Sequence, residues 1–361
     1  MLFRSDYALF MAIREALQGA SWKEWPRPLR KREKQSLIEF QAANNDRIQF
    51  HIFLQFLFAK QISAVKEFAR QKEIRIIGDI PIFMGFDCAD VWAKPHLFDL
   101  NQDLLPNAVA GVPPDFFSDS GQLWGNPLYD WSAHQKENYS WWSQRIASVL
   151  RFADEIRLDH FRGFAGYFRI PADSETARSG QWVDGPGADF FDAVSYNIGT
   201  LPFIAEDLGV ITPDVLALRD QYAFPGMRLL QFAFSKGSDN EYLPHNYPLN
   251  CVAYTGTHDN DTARGWYRNL PAAEKEFVDH YIGPAKESIP LAMIRTVWRS
   301  NALLAIAPMQ DFLNLGTSAR MNQPAVPEGN WQWRMRPGCL SPQLLEWIKT
   351  ANTTFGRIKT K

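Results

Sequence analysis

Four carboxylates in this sequence follow short apolar runs. They are Asp79 in IRIIGD, Asp159 in EIRLD, Glu206 in FIAE and Asp259 in CVAYTGTHD. Apolar runs that end in polar residues are typical of buried parallel strands, whose carboxyl ends lie together on one side of a sheet. Glycosidic-bond chemistry in retaining enzymes uses two carboxyl groups about 5–5.5 Å apart, one as nucleophile and one as proton donor. Neighbouring strand ends can supply that spacing, so the sequence predicts a site where carboxylates from different strands converge.

The neighbours of two of these carboxylates favour different roles. Arg157 lies two residues before Asp159, so both side chains share one face of a strand, and a guanidinium there would keep the carboxylate ionised, as a nucleophile requires. Glu206 lies among apolar residues, and loss of water raises the pKa of a carboxyl group, which suits a general acid. Asp207 could equally be the functional member of that pair, and the sequence leaves the choice open.

His258 and Asp259 could hydrogen-bond sugar hydroxyls and stabilise positive charge on the ring. A single strand-end Asp is more often a helix cap, and His160 or His258 alone is more often structural, so it is the set of acidic strand ends that favours catalysis. Asp159, His160, His258 and Asp259 could in principle hold a metal ion, but the sequence lacks the HxxxH, HExxH or Cys–His spacing that metal sites use. Glycine-rich phosphate loops and a Gly-x-Ser-x-Gly elbow are also absent from the sequence. We therefore expect no metal and no organic cofactor.

The elements that would position these groups alternate between strands and helices, which predicts a parallel sheet. Six strands are predicted, at 74–82, 155–161, 203–209, 227–234, 251–259 and 302–311. Residues 47–72 have the apolar periodicity of a long helix, and another helix is predicted from Pro213, with Thr212 as its N-cap. The segment 83–150 is interpreted as an inserted loop subdomain over the active-site mouth. A closed barrel needs eight strands. The predicted fold is therefore a (β/α)₈ TIM-type barrel over 1–361 that lacks its first two strands.

Composition narrows the class of protein. The chain has 361 residues, 46% hydrophobic and 22% charged, with a net charge of −2, so it has no electrostatic footprint for nucleic acid or acidic membranes. The longest apolar runs, such as Phe53–Ala59, are too short to span a bilayer, and the N-terminus lacks a signal-peptide pattern. Three widely separated cysteines indicate free thiols and a cytoplasmic location. Aromatic residues make up 14%; a core explains most of them, and a sugar-binding cleft would explain an excess.

Long sequence blocks resemble the amylomaltases, the 4-α-glucanotransferases of glycoside hydrolase family 77, almost from end to end. They include GDIPIF (78–83), ADVWAKPHLF (89–98), VAGVPPDFFSDSGQLWGNPLYDW (109–131), IRLDHFRGF (156–164), IAEDLGVITPDV (204–215), YTGTHDNDT (254–262) and ARMNQP (319–324). The resemblance implies α-retaining transfer of α-1,4-glucan segments between maltodextrin or starch chains, through a covalent glucosyl–enzyme intermediate. It also implies α-glucans as donor and acceptor, and no metal or organic cofactor.

The same resemblance assigns roles to individual residues. Asp159 matches the family's nucleophile, Glu206 its general acid/base, and Asp259 its third catalytic carboxylate. Arg157 and His258 match residues at the donor site. Other residues expected to bind substrate are Asp79, Asp115, Phe116, Phe117, Gln122, Trp124 and Asn126.

Departures from the family pattern leave alternatives. Phe116 stands where the family usually has Tyr, and Ala325 where it usually has Gly. Family members also begin well over a hundred residues earlier, which agrees with the two strands absent from the count above and implies an N-terminal part that this chain does not contain. An α-amylase-like hydrolase with the same carboxylates, or an inactive glucan-binding fragment, therefore remain alternative functions.

Overall fold

The computed structural model describes residues 2–114, 119–235, 237–283, 287–324, 326 and 328–358. The chain divides into two compact units, Met1–Tyr222 and Ala223–Lys361. The predicted residues Asp115, Phe116, Phe117 and Ala325 lie outside the described ranges.

The first unit combines helices with two groups of strands. Its helices are α1 (Leu2–Ala16), α2 (Arg27–Arg30), α3 (Lys34–Ala43), α4 (Asn45–Gln71), α5 (Ala89–Ala93), α6 (Trp131–Lys136), α7 (Ser140–Leu150), α8 (Arg162–Ala165), α9 (Gly187–Ile198) and α10 (Pro213–Gln221). Its strands are β1 (Ile77–Pro81), β2 (Ala108–Val112), β3 (Gln122–Pro127), β4 (Glu155–Asp159), β5 (Gly166–Pro171), β6 (Gln181–Asp184) and β7 (Phe203–Ala205).

Three parallel strands, in the order β1-β4-β7, form the part of this unit that holds the carboxylates. β4 alternates as strands do: Ile156 and Leu158 are buried on one face, and Arg157 lies on the other. Helix α7 packs against both β1 and β4. A cluster of fully buried aromatic side chains adjoins these elements and accounts for part of the aromatic content; it comprises Trp141, Trp142, Phe161, Phe164, Phe190 and Phe191.

A four-stranded antiparallel sheet, in the order β3-β2-β5-β6, is the feature of this unit that the sequence patterns did not predict. Its strands come partly from the predicted insertion 83–150 and partly from residues 166–184. The backbone of β3 crosses so close to Gly111 that a Cβ there would lie 2.1 Å from the carbonyl oxygen of Gln122. Only glycine fits that position, beside a register shift between Val109 and Gly111.

The second unit also has parallel strands. They are β8 (Gly226–Leu229), β9 (Cys251–Tyr254) and β10 (Leu304–Ile306), with β9 between the other two. Its helices are α11 (Ala263–Asn269), α12 (Ala272–Ile282), α13 (Ile289–Trp298), α14 (Met309–Phe312) and α15 (Pro342–Thr354). All four residues of β8 and of β9 are buried, as expected for strands covered on both faces.

Each of the six strands predicted from apolar runs is present, and each is shorter than predicted. The long predicted helix is α4, and α10 begins at Pro213 after Thr212. The structure differs from the prediction that the apolar runs are too short to span a bilayer: α4, with 27 residues, is long and apolar enough to cross a membrane, the one such helix among the described residues. A single helix of this kind is weak support for a membrane span.

Candidate active site

The guanidinium of Arg157 joins two strand-end carboxylates. β1 and β4 pair with Asp79 opposite Arg157 and Pro81 opposite Asp159. Nη1 of Arg157 donates to Oδ2 of Asp79 at 2.7 Å, and Nη2 donates to Oδ1 of Asp159 at 2.7 Å. Arg157 is buried, whereas both carboxylates remain more than a third exposed. The arrangement fixes the direction of Asp159 and favours its ionised form.

Glu206 follows β7, the strand on the other side of β4. Leu158 is the register partner of Ala205, so Asp159 and Glu206 are the next residues along two adjacent parallel strands. Such strands are separated by about 4.8 Å. The two carboxyl groups are therefore close enough for the negative charge of Asp159 to raise the pKa of Glu206.

Burial in the protein raises the pKa of Glu206 to about 8, and the negative charge of Asp159 acts in the same direction. Arg157 and two backbone N–H groups lower that pKa, but burial outweighs them. The Glu206 carboxyl group is consequently protonated at neutral pH, as a proton donor must be.

The backbone after Asp159 turns so that the N–H of His160 can hydrogen-bond the side chain of Glu206. His160 has φ = +53°, a left-handed conformation that is uncommon for residues other than glycine. Its N–H donates to Oε2 of Glu206 at 2.7 Å, and the N–H of Leu208 donates to Oε1 at 3.1 Å. His160, which follows Asp159, thus holds the carboxyl group of Glu206 in place.

The imidazole of His160 lies beside aromatic rings. Its ring centroid is 4.9 Å from that of Trp124, edge to face, and 6.4 Å from that of Phe83. Burial, together with the charge of Arg162, lowers the pKa of His160 to about 4, so the ring is neutral at physiological pH. Its Nε2 is buried and makes no hydrogen bond within the described residues.

Asp207, the alternative to Glu206, has a different environment. Its side chain is 1% exposed and lies against Arg219, whose Nη1 donates to Oδ2. This buried ion pair links the segment after β7 to α10 and commits Asp207 to a structural contact. The geometry therefore favours Glu206 as the member of the pair that can donate a proton.

Strand β3 carries three of the residues expected to bind substrate. Trp124 is 38% exposed, and its Nε1 donates to Oε1 of Gln122 at 3.1 Å. Asn126 instead donates to the carbonyl oxygen of Met84 at 3.0 Å, which ties β3 to the segment after β1. Trp124 thus offers a partly exposed ring beside His160, the residue after Asp159, and Asn126 has a positioning contact.

The second unit holds His258 and Asp259 after β9. Nε2 of His258 lies 3.3 Å from Oδ2 of Asp259, and Nδ2 of Asn322 donates to Oδ1 of Asp259 at 2.6 Å. The ring of Trp331 is 5.1 Å from that of His258. Asn322 lies in one of the sequence blocks quoted above, but its role and that of Trp331 were missed, because no pattern in the sequence links them to Asp259.

Within the described ranges, no group of three His, Cys, Asp or Glu side chains lies close enough to hold a metal ion. The positive charge that lies against Asp79 and Asp159 is the guanidinium of Arg157.

Known proteins resemble this chain closely. A family model described as 4-alpha-glucanotransferase matches residues 4–341. The 4-alpha-glucanotransferase of Thermus thermophilus is 49% identical over 346 residues, which are 94% of this chain and 69% of that protein. The chloroplastic/amyloplastic 4-alpha-glucanotransferase of Arabidopsis thaliana is also 49% identical, over 91% of this chain and 58% of that protein.

Among solved structures, an amylomaltase from Streptococcus agalactiae in complex with acarbose superposes with a TM-score of 0.96 at 38% identity, covering 99% of this chain and 73% of that one. The amylomaltase from Corynebacterium glutamicum, at 18% identity and a TM-score of 0.76, shares the fold. The chain spans 58% to 69% of the length of the relatives from Arabidopsis thaliana and Thermus thermophilus.

Proposed function

Because this chain belongs to the 4-alpha-glucanotransferase family, glycoside hydrolase family 77, we propose that it transfers segments of α-1,4-glucan from one chain to another with retention of the α configuration. The observation that carries the proposal is the pair Asp159 and Glu206. These residues end two adjacent parallel strands, one beside a guanidinium and the other with a pKa of about 8.

In the first step, an Oδ atom of Asp159 attacks the anomeric carbon of the donor glucan. The bond between that carbon and the glycosidic oxygen breaks, and its electron pair goes to the oxygen, which takes the proton of Glu206. The reducing-end part of the donor leaves as an alcohol, and the remainder is held as an ester of Asp159. Arg157 keeps Asp159 ionised and oriented for the attack.

In the second step, the 4-hydroxyl group of an acceptor glucan attacks the same carbon. Glu206, now a carboxylate, takes the proton of that hydroxyl, and the bond to Asp159 breaks with its electrons returning to the carboxylate. Two inversions give net retention. Burial of the Glu206 carboxylate favours uptake of this proton, and the charge of Asp159, which is absent while that residue is esterified, returns as the ester bond breaks.

Further residues are proposed to contact the substrate. The exposed face of Trp124 suits the apolar face of a glucose ring, and Asp79, Gln122 and Asn126 lie on the same elements as the carboxylate pair or beside them. Asp259 and His258 are proposed to bind sugar hydroxyls, and the loop with Asp115, Phe116 and Phe117 to cover bound glucan, on the strength of the family resemblance.

We further propose that the protein is a TIM-type barrel whose first two strands lie outside this chain. The supports are the open edge of β1, which pairs only with β4 in the described part of the chain, and the share of each relative that the chain covers. A cytoplasmic location is proposed from the free cysteines Cys88, Cys251 and Cys339.

Maltotriose distinguishes transfer from hydrolysis. Transfer yields glucose together with maltodextrins longer than maltotriose, whereas an amylase-like hydrolase yields only shorter products. Appearance of longer products, lost in Asp159→Asn, would support the proposal; shorter products alone would show that water, not glucan, is the acceptor.

A further inference from the structure

Trp331, in the second unit, has a strained backbone. Its φ is +61°, in the left-handed region, where a bulky residue is a genuine outlier. Glycine would adopt the same backbone without that strain. Strained residues of this kind are concentrated at ligand-binding and catalytic sites, where the side chain has a use that offsets the strain.

Burial of the indole ring does not explain the strain, because Trp331 is 53% exposed. Its ring contacts that of His258, with the two centroids 5.1 Å apart and the planes at 41°. An aromatic ring that is half exposed gains only part of the free energy that full burial would give. The use of this ring is therefore to be sought in contact with a bound molecule.

Hydrogen bonds fix the backbone that carries the ring. The N–H of Trp331 donates to the carbonyl oxygen of Met321 at 2.7 Å, and Nη1 of Arg334 donates to the carbonyl oxygen of Trp331 at 2.8 Å. The preceding residue, Asn330, accepts at Oδ1 from the N–H of Gln323 at 2.9 Å. These bonds use only backbone atoms of Trp331, which any residue with this φ would supply, so they do not require an indole.

The same segment holds His258 and Asp259. Asn322 donates from its N–H to the carbonyl oxygen of His258 at 3.1 Å and from Nδ2 to Oδ1 of Asp259 at 2.6 Å. Nη2 of Arg320 donates to the carbonyl oxygen of Asp259 at 2.5 Å, and its Nε to that of Asn322 at 2.7 Å. The side chains of His258 and Asp259 nevertheless stay 31% and 38% exposed. An indole, an imidazole and a carboxylate are thus held together and remain accessible.

We propose that Trp331, His258 and Asp259 form a subsite for one glucose unit of the α-1,4-glucan, with the indole as its stacking surface. The C–H groups on one face of a pyranose ring pack on an aromatic ring, and the hydroxyl groups at its edge can hydrogen-bond a carboxylate and an imidazole. The family resemblance assigns sugar hydroxyls to Asp259, and Trp331 adds the apolar half of the contact. The choice of glucose rests on the proposed function.

Trp331→Gly tests the ring itself, because glycine accepts the left-handed backbone. We expect KM for maltotriose to rise roughly tenfold and kcat to change less than roughly threefold, since stacking acts in the ground state and the transition state alike. Trp331→Tyr keeps an aromatic surface and should restore most of the binding. The control Met335→Ala removes a side chain of similar exposure, 46%, from the same segment and should leave KM unchanged.

Binding without turnover separates this proposal from the proposed function. Calorimetric titration with maltotriose would compare Asp159→Asn with the double variant Asp159→Asn/Trp331→Gly, and we expect roughly tenfold weaker binding by the double variant. Equal dissociation constants would overturn the subsite even if the parent chain transfers glucan. Weaker binding by the double variant, with a parent chain that makes no longer maltodextrins, would refute the proposed function and leave the subsite standing.

Should Trp331→Gly fail to fold, hydroxyl-radical footprinting of the parent chain decides. Maltotriose should protect Trp331 from oxidation and leave Tyr196, which is 87% exposed on α9, as reactive as before. Equal oxidation of Trp331 with and without the sugar would overturn the proposal.

Discussion

The backbone N–H of His160 donates to Oε2 of Glu206 at 2.7 Å, so the residue that follows the proposed nucleophile holds the proposed acid. A left-handed turn at His160 makes this contact possible. The relative positions of the two carboxyl groups are thereby fixed by the backbone at two adjacent strand ends, and substitutions near them have separable consequences.

Glu206→Gln is expected to reduce transfer from maltotriose by at least roughly 10³-fold, because the proton donor is lost. In the parent chain, transfer should fall as pH rises through about 8, where Glu206 loses its proton. The pH dependence of kcat/KM measures this limb. A parent profile with no alkaline limb near pH 8 would contradict the assignment.

Glu206 should also affect stability with a defined sign. Its pKa is raised from 4.5 to about 8 in the folded state, so the folded protein holds more protons than the unfolded chain between these values, and stability falls as pH rises across that window. Glu206→Gln removes the titrating group, so this fall in stability with rising pH should disappear. Its melting temperature should therefore exceed that of the parent chain at pH 8.5 and approach it near pH 4; the opposite order would contradict the burial of the carboxyl group.

Substitution of the two arginines that contact aspartates near the site, Arg157 and Arg219, should have opposite effects on stability and on transfer activity. Arg157→Met removes the partner of Asp79 and Asp159, which are 42% and 38% exposed, so we expect a stability loss of only about 1 kcal/mol and a large loss of transfer. Arg219→Met removes the guanidinium that contacts the 1%-exposed Asp207, and the loss of one partner from a buried ion pair should cost about 3–5 kcal/mol. Activity per folded molecule should survive that second change.

Chemical denaturation and maltotriose turnover, measured on both arginine variants, test this contrast. If Arg219→Met abolished turnover in the folded protein while Arg157→Met did not, the proton donor would have to be sought at Asp207.

Trp124 should affect glucan binding. Trp124→Ala removes the exposed ring beside His160, and we expect KM for maltotriose to rise roughly tenfold, since stacking on one aromatic ring contributes about 1–2 kcal/mol. The control Trp182→Ala removes a ring of similar exposure on β6, where it packs on Phe168. Equal effects of the two variants on KM would show that Trp124 has no special contact with substrate.

His160 should make the protein sensitive to acid. Its pKa is lowered from 6.5 to about 4, so the unfolded chain binds the proton first, and stability falls as pH drops from about 6.5 toward 4. His160→Asn keeps a residue that tolerates the left-handed backbone and removes the titration. Its melting temperature should vary less with pH in this range than that of the parent; an unchanged slope would assign the acid sensitivity elsewhere.

The sequence was sufficient to locate the parallel strands and the carboxylates at their ends, because buried strands are apolar runs and polar residues mark where they stop. It was insufficient for contacts that depend on distant pairing. The sheet of β2, β3, β5 and β6 joins segments about 60 residues apart through alternating strands of mixed polarity, and Asn322 reaches Asp259 from more than 60 residues away. The choice between Glu206 and Asp207 required the position of Arg219, which periodicity does not give.

The central claim is that Asp159 carries the glucosyl group while Glu206 moves the proton. The most direct measurement is the intact mass of Glu206→Gln after incubation with α-maltotriosyl fluoride, whose leaving group needs no acid. We predict a stable adduct of one maltotriosyl unit, which peptide mapping places on Asp159 and which Asp159→Asn abolishes. An adduct on another residue, or undiminished labelling in Asp159→Asn, would contradict the account.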